Sequence, residues 1–219
     1  MTIRRLAEEA QAAAVDLRNL STEVKNRALR EMAASLERGR EEILAANARD
    51  LGVGRAAGVS EALLDRLMLN EKRIAEMAQG LRSVAQLPDP VGQVIRQWKR
   101  PNGLLIRKVR VPIGVVVIIY EARPNVTSDC VGLCVKSGNS VILKGGTEAF
   151  YSNRAIHATI REALSAAGLP TGAVEWVSSK EKRDVHALLR LEGLIDLVIP
   201  RGGEALIRKV AAVSRIPVI

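Results

Sequence analysis

Apolar positions fall into three regimes along the 219 residues. As far as Pro90 they recur at helical spacing. Val24, Ala28, Met32 and Leu36 follow Ser21, which is placed to cap the helix they predict. Leu63, Leu64 and Leu67 follow Ser60. Ile74, Met77, Leu81 and Val84 follow Asn70, and Pro88 and Pro90 end that run. Each of these amphipathic helices needs a partner surface, and nothing in the stretch suggests catalysis.

The second regime starts at Val91. Val94-Ile95 and Leu104 to Val111 flank Arg100-Pro101-Asn102-Gly103, and the Asn-Gly pair favours a tight turn between antiparallel strands. From Pro112 the period changes again. Ile113 to Tyr120 is a nearly continuous β-branched run, as expected of a strand buried on both faces. Ser140 to Leu143, Ala173 to Val177 and Ile195 to Ile199 read likewise. Helical stretches alternate with them at Val126 to Lys136, Glu148 to Ala167, Lys180 to Leu191 and Glu204 to Val213. The alternation predicts an α/β domain with a parallel sheet and helices on both faces. Ile216-Pro217-Val218-Ile219 begins one more apolar strand and stops, which reads as a chain cut inside its core.

Composition narrows the function classes. Apolar residues make up 47% and aromatics 2%, so Ala, Val, Leu and Ile must fill the core. No apolar run approaches the roughly 20 residues of a membrane span, and no secretory signal is visible, so a cytoplasmic protein is expected. The net charge of +9 is uneven: residues 1–90 are neutral, and the whole excess lies in 91–219. Arg96, Lys99, Arg100, Arg107, Lys108 and Arg110 crowd the hairpin with no acid among them. Only Trp98 and Tyr120 could stack on bases there, and no nucleic-acid motif is present, so a solvated or subunit-facing hairpin is the preferred reading.

In a parallel sheet, ligands bind beyond the carboxyl ends of the strands, where helix N-termini offer free N–H groups to anions. Two strand ends here carry basic glycine turns: Lys144-Gly145-Gly146-Thr147 and Pro200-Arg201-Gly202-Gly203. Neither matches G-x-G-x-x-G or the P-loop. A single Gly-Gly turn is as readily structural, since turns recruit glycine anyway; two basic ones on one edge point to a phosphate-bearing cofactor. A third strand end, Tyr120 to Thr127, is dense in polar groups. Arg123 could fork a carboxylate or phosphate and Asn125 could donate to a developing oxyanion, while Asn125 or Thr127 could equally cap the next helix. Cys130 and Cys134 read as core, His157 and His186 as structural or surface residues, and no metal site is expected.

Several strings resemble the γ-glutamyl phosphate reductases, a branch of the aldehyde dehydrogenase superfamily. They are Pro112 to Val115, Tyr120 to Thr127, Ser137 to Gly146, Leu197 to Gly203, Leu87 to Gly92, and Asn47-Ala48-Arg49-Asp50. The resemblance implies a Rossmann-like cofactor domain of the aldehyde dehydrogenase fold. Residues 1–90 would form its helical part, 91–111 an oligomerisation hairpin, and 112–219 the dinucleotide-binding region, with the catalytic domain absent. It implies NADPH-dependent reduction of L-glutamyl 5-phosphate to glutamate 5-semialdehyde in proline biosynthesis, with glutamate 5-kinase as pathway neighbour and a homo-oligomer as the full-length form. Lys144, Gly145, Gly146, Arg201, Gly202 and Gly203 would hold NADP(H). Glu121, Arg123, Asn125 and Thr127 would face substrate, with Asn125 the oxyanion donor. The family's nucleophilic cysteine matches neither Cys130 nor Cys134, so these residues alone are expected to be inactive. A non-catalytic nucleotide-binding or assembly module, and the reductase part of a bifunctional pyrroline-5-carboxylate synthase, are the alternatives.

Overall fold

A computed structural model describes residues 2–219. Helices fill the first part: α1 (Ile3–Leu17), α2 (Thr22–Arg38), α3 (Arg40–Ala56), α4 (Glu61–Leu67) and α5 (Glu71–Gln86). Their boundaries follow local chemistry. Ser21 accepts from the Val24 N–H and Asn70 from the Arg73 N–H, each a side-chain cap. Ser60 precedes α4 without making such a bond.

β1 (Val94–Lys99) and β2 (Leu105–Val109) form an antiparallel hairpin. Its turn differs from a two-residue Asn-Gly connection. The Gly103 N–H donates to Arg100 O at 2.9 Å and the Arg100 N–H to Leu104 O at 2.9 Å, with positive φ at Gly103. Pro101-Asn102 therefore make an ordinary turn and glycine takes the left-handed bulge position, the usual three-residue loop. Val94, Ile95, Leu104, Leu105 and Val109 are all exposed, so within this chain the hairpin lacks the apolar support a two-stranded ribbon needs.

β3 (Val115–Tyr120), α6 (Asn125–Lys136), β4 (Ser140–Gly145), α7 (Phe150–Ala166), β5 (Val174–Trp176), α8 (Lys182–Leu188), β6 (Leu197–Arg201) and α9 (Glu204–Val213) follow. The sheet order is β5-β4-β3-β6, all parallel. Val198 also bridges Val218 in parallel, so residues 217–219 lie along the outer edge of β6. β3 alternates between two cores. Val116, Ile118 and Tyr120 pack with α2, α5, α6 and α7, whereas Val115, Val117 and Ile119 pack with α1, α8 and α9. That two-sided burial is why the run reads as continuous apolar sequence. The expected doubly covered parallel sheet is the observed fold.

Register places the strand ends together. Tyr120 pairs Gly145 on one side and Arg201 on the other. Both basic glycine turns thus emerge on one rim of the sheet, with the Glu121–Pro124 turn between them.

Candidate functional site

Two clefts flank that turn. The first, about 600 Å³, is lined by Glu121, Lys144, Gly145, Gly146 and Glu148 on one side and by Leu206, Lys209 and Val210 of α9 on another. Lys180 and His186 close a third side. The second, about 330 Å³, is lined by Arg66, Glu76, Arg123, Asn125 and Asp129 among others. Of the expected cofactor residues Lys144, Gly145 and Gly146 line the first cleft, and of the expected substrate residues Arg123 and Asn125 line the second, with Glu121 falling on the first side.

The wall between them is strained. Ala122 has φ 34°, the left-handed region a non-glycine residue rarely enters, and the Arg123 N–H donates to Glu121 O at 2.6 Å across it. Glu148 Oε1 secures the bend by accepting the Ala122 N–H at 2.6 Å. This tight turn aims Glu121 and Arg123 into opposite clefts, and strain of this kind concentrates at functional sites.

In the first cleft, Lys144 is buried and donates through Nζ to Gly145 O at 2.9 Å. Burial pushes its ammonium below the usual lysine range, and Glu148 opposes that shift. The glycines differ in what fixes them. A Cβ at Gly145 would lie 2.1 Å from Asn153 Nδ2, so packing alone demands glycine there. At Gly203 nothing lies within 4 Å and φ is the ordinary −66°, so neither space nor conformation inside the chain calls for glycine. Above it Glu121 Oε2 accepts the Gly203 N–H at 3.0 Å. The first turn of α9 already holds an anion, supplied by the chain itself.

Other expected site residues lie elsewhere. Arg201 lines neither cleft; its charge lowers the pKa of Cys130 and Asp129 against the larger effect of burial. Thr127 is sealed in the core, its hydroxyl bonded to Tyr120 Oη at 2.7 Å and Asn153 Oδ1 at 3.1 Å, so it reaches no cleft. Asn125 is the first residue of α6 and caps nothing; its Nδ2 donates to Asp129 Oδ2 at 3.1 Å. Burial pushes the Cys130 thiol up to about 11 and Cys134 higher still, so neither offers a thiolate near neutral pH. His157 is buried beside Val174 O, with a pKa depressed to about 4 by desolvation.

Sequence reasoning passed over Lys180, Glu148, Lys209 and His186. Lys180 follows β5, so the rule that picked out Lys144 and Arg201 at strand ends applies to it equally. Glu148 directly follows the Lys144-Gly145-Gly146-Thr147 turn, so the same rule reaches it, whereas Lys209 carries no local signal and comes to the cleft through its place on α9.

A parallel sheet covered by helices on both faces, with clefts at the carboxyl ends of its strands, defines a doubly wound α/β protein whose ligand sites lie on that rim. The chain belongs to the aldehyde dehydrogenase family, whose model matches residues 1–216. It is 54% identical, over its whole length, to the gamma-glutamyl phosphate reductase of Moorella thermoacetica, of which it covers 52%. The solved gamma-glutamyl phosphate reductase of Thermotoga maritima superposes with a TM-score of 0.97 at 44% identity, the match covering all of this chain and 53% of that one. The Saccharomyces cerevisiae counterpart superposes at 0.92 with 32% identity, covering all of this chain and 56% of that one. The chain spans about half the length of the curated relatives it matches.

Proposed function

We propose that these residues form the NADP(H)-binding part, and one wall of the substrate cleft, of a γ-glutamyl phosphate reductase. The observation that carries the proposal is the register of β3. With Gly145 and Arg201 both opposite Tyr120, both glycine turns emerge on one rim, beside a cleft of nucleotide size that Lys144, Gly145 and Gly146 line from one turn and α9 lines from Leu206 onward.

The residues present fit a dinucleotide. Lys144 and Lys180 offer positive charge to a ribose or its 2′-phosphate, while Leu206 and Val210 offer an apolar wall. Gly203 adds no side chain at the start of α9, and its backbone N–H, held here by the Glu121 carboxylate, is the donor a pyrophosphate would take over at that helix N-terminus. Bound there, the nicotinamide supplies hydride. Asn125, steadied by Asp129, donates to the acyl oxygen in the neighbouring cleft. The thiolate that attacks the acyl phosphate belongs to a residue outside these 219, since both cysteines here are buried thiols. The substrate is L-glutamyl 5-phosphate, the setting is proline biosynthesis in the cytoplasm, and glutamate 5-kinase supplies the substrate. The exposed apolar hairpin serves self-association, since its uncovered strands need a partner surface.

Titrating NADPH against the chain tests this reading. Saturable enhancement of nicotinamide fluorescence is expected, weakened about tenfold or more in Lys144→Ala by loss of a charge-assisted contact. No saturable binding, or binding indifferent to Lys144, would remove the proposal. Turnover by these residues alone, assayed with glutamate 5-semialdehyde, phosphate and NADP, would contradict the assignment of the nucleophile.

A further inference from the structure

The second cleft carries charges that neither packing nor hydride transfer explains. Asp65, Arg66, Arg73, Glu76, Arg123 and Asp129 all face it. One pair is internally engaged: Arg73 Nη2 bonds Asp65 Oδ1 at 3.0 Å, and Nη1 donates to Asp65 O at 2.5 Å and Met68 O at 2.6 Å. Asp129 is also committed, holding the Asn125 amide at the inner, part-buried end. Arg66, Glu76 and Arg123 remain at the exposed mouth, and none of the three forms an ion pair among the described residues.

A cleft that selected phosphate would present cations alone. Here an unpaired carboxylate stands among the guanidinium groups, and it would repel a dianion while attracting an ammonium. Opposite charges at the mouth, with an amide donor further in, match a molecule bearing a zwitterionic head at one end and an acyl group at the other. We infer that this cleft recognises the head of an L-α-amino acid, Arg66 and Arg123 taking the α-carboxylate and Glu76 the α-ammonium, with the side-chain acyl group directed toward Asn125. The inference rests on the reading above and adds how the substrate is told from other acyl phosphates: by its distal end, through residues of α4 and α5 as well as the Glu121–Pro124 turn.

L-glutamine, an unreactive γ-glutamyl amide, is a suitable probe for nuclear magnetic resonance titration of the isotope-labelled chain. Saturable shifts at Arg66, Glu76, Arg123 and Asn125 are expected, with none from butyramide, which lacks the head group. Arg66→Met and Glu76→Gln change exposed side chains, leave the fold intact, and should each weaken glutamine binding about tenfold. Inorganic phosphate should neither reproduce nor compete with the shifts. Shifts produced by phosphate and not by glutamine would overturn the inference. So would silence toward glutamine in a chain that still binds NADPH. Glutamine binding without NADPH binding would uphold it and defeat the cofactor reading instead.

Discussion

Glu121 Oε2 accepts the Gly203 N–H at 3.0 Å, so a carboxylate from the end of β3 sits on the first turn of α9. An incoming pyrophosphate would compete for that N–H and meet a like charge beside it. Glu121→Gln keeps the shape and removes the charge. NADPH affinity should rise about threefold, in line with the modest strength of exposed charges near a helix terminus. Fluorescence titration reads this directly. A loss of affinity would mean instead that the Glu121 carboxylate receives a ribose hydroxyl.

Lys180 sets a second expectation. Its Nζ lies 4.5 Å from the Phe150 ring centroid, at the mouth of the cleft that Lys144 enters from within. Phe150, Tyr151 and Trp176 form one cluster in a chain with 2% aromatics, and Lys180 lies against it. A lysine so steadied suits a 2′-phosphate. Lys180→Met should weaken NADPH by about tenfold and NADH by far less, since only the former carries the extra dianion. Equal losses for both would assign the lysine to the shared part of the dinucleotide.

The sheet was legible because its strands are continuous β-branched runs, a signal that burial on both faces writes into the sequence. α9 was read at its observed bounds, Glu204–Val213, for a related reason: glycine before it and regular apolar spacing within it. α3 escaped specific notice because its buried positions include Asn47, Asp50 and Gly54, which break the apolar period. Several strings of the resemblance have a structural role. Asn139 accepts the N–H groups of Ile113 and Gly114, and Asp89 accepts from Thr22, Lys25 and Val91. Most of those strings hold the fold together. Thr127 is expected to face substrate on the resemblance alone; its burial depends on Tyr120 and Asn153, which lie on other elements.

Asp50 is the clearest of these structural anchors. It accepts the Tyr151 N–H at 3.1 Å, and the Ser152 N–H and hydroxyl at 2.7 and 2.6 Å, so a side chain of α3 caps α7 across the fold. Asn47 extends the network to Ser152, Leu67 and Leu69. Asp50→Ala strands buried donors and should cost about 3 kcal/mol, the range for losing charge-assisted bonds to buried groups. The urea midpoint should fall with an unchanged slope, and Asp50→Asn should lie between. A loss below about 1 kcal/mol would mean that water replaces the carboxylate.

Glu175 and His157 make opposing contributions to pH dependence. Glu175 is buried on β5 with Oε1 lacking a hydrogen bond, and Arg161 Nη2 lies 3.5 Å away. Burial pushes its carboxyl from 4.5 up to about 7, against the attraction of Arg161. Between those values the folded chain holds a proton that the unfolded chain has released, so this group's contribution to stability falls as pH rises through the interval. His157 does the reverse: burial depresses it from 6.5 to about 4, so its contribution is complete above the unfolded value and is lost as pH falls toward the folded one. The two excursions are similar in size, each worth at most about 3 kcal/mol, and they largely cancel in the native chain. Glu175→Gln removes one side of the balance. Its stability should match the native chain near pH 4.5, the unfolded glutamate value, and exceed it at pH 8, with a steep rise left over from His157. Thermal melts of both chains across that range, compared as differences, would show this; parallel curves would mean that Arg161 satisfies the carboxylate in its charged form.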